Sequence, residues 1–109
     1  MGKVYRRPAA RCDLISHYAY LSEYADEEVA GRFLDQAEAS FNDLLKRPEM
    51  GAPLALRHAK LDGLRKWRVK DFDNFLIFYL PHPDGVLIVR VLHAARDWWS
   101  LLGIKNQPA

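Results

Sequence analysis

The chain has 109 residues, of which 50% are apolar and 28% charged, with a formal net charge of +2; this is enough for one domain burying roughly two-thirds of its unfolded surface, and too little for a second core. The balance excludes disorder throughout, and a pI of about 8.8 permits an acidic partner without requiring one. One cysteine, Cys12, gives no internal disulfide, and with no signal-peptide pattern and no run near the ~20 apolar residues of a membrane span, a soluble cytoplasmic protein is expected.

"KVYRR" (3–7) reads as a short strand that stops at Pro8, a residue suited to the first position of a helix. Leu14, Ile15, Tyr18 and Leu21 then recur at helical spacing to about Tyr24. "ADEE" interrupts this pattern and supplies Asp26 as an N-cap, with Glu27 and Glu28 complementing the dipole of a second helix. Its stripe is Val29, Phe33, Leu34, Ala37, Phe41, Leu44 and Leu45, ending before Pro48 and Gly51. The short link makes the two helices an antiparallel hairpin.

"PEMGAPLALRHAKLDG" (48–63) is a long connection in which "LALRHAK" suggests a turn of helix. The period then changes to that of strands: "LRKWRV" (64–69), a turn at 71–74, "FLIFYL" (75–80), a turn at "PHPDG", and "VLIVRVLH" (86–93). Three antiparallel strands are expected. A short helix should run from Asp97 to near Gly103, leaving "IKNQPA" (104–109) as a tail outside an ordered core of 3–103. The whole of 1–109 is then a single α+β domain, a helical hairpin on an antiparallel sheet.

In the strand 64–70, Lys66, Arg68 and Lys70 share one face, and Arg65, Trp67 and Val69 the other. The next two strands are apolar on both faces apart from Arg90 and His93. A helical hairpin covers one face of a sheet only. The second needs the C-terminal helix with Trp98 and Trp99, a second copy, or another protein.

The order of elements, together with "LRKWRV", "FLIFY" and above all "RVLHAARD", resembles the ParE branch of the ParE/RelE superfamily of bacterial type II toxins. The likeness runs from about Val4 to Leu102, with Arg7 standing where the family often has a Ser or Thr cap and Ala94 where Gly is common. The resemblance implies a small cytoplasmic toxin, of the plasmid-stabilising kind, neutralised by a ParD-like antitoxin encoded beside it. ParE members trap DNA gyrase on cleaved DNA through protein contact; RelE members instead cut messenger RNA in the ribosome. No cofactor, metal or direct nucleic-acid contact is implied for the ParE kind.

Cleavage of RNA through its 2′-hydroxyl needs a base, an acid and cations around the phosphate at one place. The candidates are Arg65, Arg68, Arg90, His93 and Arg96. On regular strands Arg65 and Arg68 leave opposite faces, as do Arg90 and His93 unless a bulge intervenes. RelE-type nucleases tend to place a catalytic tyrosine or a basic residue near the chain end, whereas the last tyrosine here is Tyr79 and the terminal segment is "WWSLLGIKNQPA". A nuclease constellation is incomplete.

Structural roles stand beside functional ones for each candidate. His93 suits a histidine bonded to a backbone carbonyl; Arg90 suits an ion pair with Asp13 or Asp97; Asp97 suits the N-cap of the last helix. Trp98 and Trp99 cannot both face inward, since adjacent helical residues diverge by about 100°. His17, His58 and His82 form no recognisable metal set. The reading is a gyrase-inhibiting toxin whose target- or antitoxin-binding residues are Lys66, Arg68, Arg90, His93, Arg96, Asp97, Trp98 and Trp99, with a RelE-type nuclease or a non-toxic antitoxin-binding relative as alternatives.

Overall fold

The computed structural model describes residues 2–54 and 61–102. Most of the expected "LALRHAK" turn, His58, Gly103 and the tail 104–109 lie outside the described residues. The elements are β1 (Lys3–Arg6), α1 (Pro8–Tyr24), α2 (Glu27–Lys46), β2 (Ala52–Pro53), β3 (Arg65–Val69), β4 (Phe72–His82), β5 (Gly85–His93) and α3 (Trp98–Leu101). Among the described residues no helix is long and apolar enough to cross a membrane.

Both helices start for the reasons read from the sequence. Pro8 occupies the first turn of α1. Asp26 caps α2 by accepting the Val29 amide at 2.7 Å, and Glu27 and Glu28 follow in its first turn. The buried face of α2 holds Phe33, Ala37, Phe41 and Leu44, as its period requires. In α1 the assignment is corrected. Ile15 is 70% exposed and Tyr18 is exposed too, while Ala10, Asp13 and Leu14 are buried. The helix rolls so that Asp13 and His17 face the sheet, because both find hydrogen-bond partners there.

The sheet has five strands in the order β1-β5-β4-β3-β2. The three expected strands form its centre, all antiparallel; β1 adds parallel to β5, and the two-residue β2 adds antiparallel to β3. The parallel edge depends on Gly85, whose φ of 152° favours glycine, and any Cβ there would strike the Lys3 backbone. Between β4 and β5 the register passes from Phe78↔Arg90 to Tyr79↔Ile88. Val89 is the extra residue of a bulge.

Side-chain parity gives two cores. Val69, Phe75, Ile77, Tyr79, Val86, Ile88 and Val91 pack beneath the helical hairpin. On the far face Phe78, Val89 and Leu92 pack with Leu61, Leu64 and Trp98, so α3 and the segment entering β3 share the task of covering it. Leu76, Leu80 and Leu87 remain partly exposed at that face.

Candidate functional site

Strand β1 accompanies β5 only as far as Arg6↔Ile88, so beyond the bulge β5 has no strand on that side among the described residues. Its backbone would be an unpaired edge. Two side chains one turn apart on α1 close it: Asp13 Oδ2 accepts the Val91 amide at 3.0 Å, and His17 Nε2 donates to the Val91 carbonyl at 2.7 Å. Asp13 also takes both ends of the Arg90 guanidinium, Nε at 2.7 Å and Nη2 at 2.8 Å. The pairing expected from the sequence is thus present, and the hydrogen bond to Asp13 raises the Arg90 pKa above its ordinary value.

Around this edge opens a cavity of about 460 Å³, lined among others by Ser16, His17, Tyr20, Phe75, His93 and Arg96. Phe75 is its aromatic wall, with the His17 and His93 rings at 4.8 and 5.0 Å between centroids. Backbone partners fix both tautomers. A carbonyl can only accept, so His17 Nε2 carries the proton and Nδ1 is left as an acceptor. His93 Nδ1 accepts the Ala95 amide at 3.1 Å, so its proton lies on Nε2. Burial lowers the His17 pKa from 6.5, prevailing over the Val91 hydrogen bond and the Asp13 charge, which act the other way, while His93 and Arg96 add to the lowering.

The structure brings Arg90, His93 and Arg96 to one cavity although strand parity separates Arg90 from His93. The reason is that the cavity occupies an edge, which side chains from both faces can reach. Arg65 and Arg68 lie elsewhere, on β3. Arg65 donates to the carbonyls of Glu49 and Gly51, and Arg68 faces Asp73 at 3.4 Å on the surface. Lys66, on the strand face it shares with Arg68, is half-buried with its Nζ 5.3 Å from the Trp98 ring centre.

Three structural roles are corrected or resolved. His93 accepts an amide rather than bonding a carbonyl. Asp97 stands at the N-cap position of α3, but its side chain makes no capping bond and its backbone (φ −67°, ψ 64°) departs from cap geometry. Trp98 is the inward tryptophan, 5.1 Å from Phe78, and Trp99 packs edge-on against it, half-exposed. The sequence reading missed Ser16, His17 and Tyr20 as cavity residues. The only signal was the Asp13 and His17 spacing of four, one helical turn. Among the described residues no cluster of three or more His, Cys, Asp or Glu has the arrangement of a metal site.

The model of the ParE toxin of type II toxin–antitoxin systems, parDE, matches residues 4–98. Among solved structures, the chain is similar to one from the chromosomal ParDE TA system of P. aeruginosa, with a TM-score of 0.68 and 16% identity over 85% of this chain and 96% of that one. No curated protein sequence matches. With the family model spanning β1 through the start of α3, over the same helical hairpin and sheet, this chain belongs to the ParE toxin family of type II toxin–antitoxin systems.

Proposed function

We propose that this toxin inhibits DNA gyrase by protein–protein contact and is neutralised by a ParD-like antitoxin. The observation that carries the choice is the division of the basic residues that a nuclease would need. Arg65 and Arg68 are occupied on β3, away from the cavity of Arg90, His93 and Arg96, and Arg90 is itself tied to Asp13. A phosphate would therefore meet one unpaired guanidinium rather than a converging set. The surfaces proposed for partners are that cavity and, on the far face, the exposed part of Trp99, with Lys66 against its neighbour Trp98.

Purified toxin is expected to inhibit supercoiling and to leave cleaved DNA attached to gyrase, while messenger RNA on translating ribosomes stays intact. Codon-specific cuts in that RNA, with supercoiling unaffected, would replace this function by that of an endoribonuclease.

A further inference from the structure

We propose that the cavity between α1 and the free edge of β5 seats a carboxylate side chain of the antitoxin, and that seating it loads a proton onto His17. The inference rests on the antitoxin reading above and adds the chemistry of the contact.

Charge gives the first argument. Among the described residues Asp13 is the sole acid lining the cavity, and its oxygens are already engaged by Arg90 and the Val91 amide. Arg96 lines the same space, is exposed and has no ion-pair partner among the described residues. The described lining therefore carries one uncompensated positive charge with His17 neutral. A bound cation is disfavoured there, and an anion favoured.

Hydrogen-bonding capacity gives the second. His93 Nε2–H has no acceptor among the described residues, and the Ser16 and Tyr20 hydroxyls line the cavity with it. His17 presents the Nδ1 lone pair, which an anion would repel unless that nitrogen gains a proton. Leu92, Leu101 and Phe75 supply apolar wall around these groups. Donors beside apolar surface suit an Asp or Glu flanked by an apolar residue, as on a peptide chain. A nucleic-acid backbone would need a track of free cations, and one arginine does not form a track. The volume matches one or two side chains rather than a folded element.

The sign of the pH dependence follows. The groups facing the imidazoles are Asp13, Ser16 and Tyr20 from α1, Arg90 from β5 and Arg96 from the following turn, while β4 and α2 contribute the uncharged Phe75 and Phe33. In the free toxin, burial opposes protonation of His17. A carboxylate introduced beside the His17 ring favours its charged form, the added proton going to Nδ1. Binding then takes up a proton, and affinity rises as pH falls, by up to about tenfold per pH unit.

The test uses the toxin and the product of the adjoining antitoxin gene, purified separately and titrated by calorimetry at pH 6 and pH 8 in buffers of different ionisation enthalpy. Tighter binding at pH 6 with net proton uptake, and binding that Arg96→Gln weakens about tenfold at either pH, is the expected result. His17→Gln can still donate to the Val91 carbonyl, and should abolish the uptake in a protein whose melting confirms that it is folded. A complex of equal affinity at both pH values without proton uptake would overturn the seat alone. Uptake unchanged in His17→Gln would do the same. Failure to bind at either pH would overturn the seat together with the antitoxin reading.

Discussion

Asp13 is the residue on which the free edge depends, because it answers one backbone amide and one guanidinium at once. Asp13→Ala leaves both unsatisfied, with Arg90 only partly reached by solvent, and is expected to cost about 3–5 kcal/mol, measured by urea unfolding. Asp13→Asn keeps an acceptor for one of them and should cost less. A double variant, Asp13→Leu with Arg90→Met, should recover much of the loss if the ion pair is chiefly structural. His17 adds a pH term. Its pKa is lowered on folding, so the unfolded chain binds more protons in the interval between the lowered value and 6.5. Stability contributed by neutral His17 is complete above pH 6.5 and falls as the pH drops toward the folded value. Thermal melts of wild type should therefore shift downward on acidification more than those of His17→Gln; equal shifts would remove this residue from the account.

At the scale of elements, the legibility of the sequence tracks the source of the ordering force. Helix α2 was readable because one stripe and one cap specify it locally, and the central strands because Phe75, Ile77 and Tyr79 alternate with Leu76, Phe78 and Leu80. Helix α1 was placed well but rolled wrongly. Its inner face is chosen by Asp13 and His17 bonding to Val91, more than 70 residues away, and no local period encodes that. Strand β2, two residues long and containing Pro53, carries no strand pattern at all, and exists because β3 offers it partners at Arg65 and Lys66. The candidate cavity was half legible for the same reason: Arg90, His93 and Arg96 stand in one stretch, while Ser16, His17 and Tyr20 arrive from another element. Gly85 tests the parallel edge. Gly85→Ala combines a φ of 152° with a collision against Lys3 and should cost roughly 1–3 kcal/mol or more, with faster amide exchange concentrated in β1. Exchange spread evenly over the sheet would contradict that local role.

For the whole molecule, the division into a helix-side core and a far-side core separates what must be kept for folding from what is available for recognition. Trp98 belongs to the far-side core, buried against Phe78 beneath the Lys66 ammonium, so Trp98→Ala should cost about 3–5 kcal/mol and abolish toxicity by unfolding. Trp99 is half-exposed on its edge, so Trp99→Ala should melt close to wild type while weakening partner binding by ~2 kcal/mol or more if that aromatic is an interface anchor. His93→Gln separates contact from catalysis on the same scale. The amide retains much of the imidazole's size but exchanges no proton, a change that would cost a nuclease about 10²–10⁴ in rate. Under gyrase inhibition the folded variant should instead remain toxic in growth assays. Melts run beside the growth assays keep unfolding apart from lost function. A folded His93→Gln protein without toxicity, together with a folded Trp99→Ala protein of full toxicity and unaltered binding, would move the functional centre from the contact surface to the imidazole and favour RNA cleavage over gyrase.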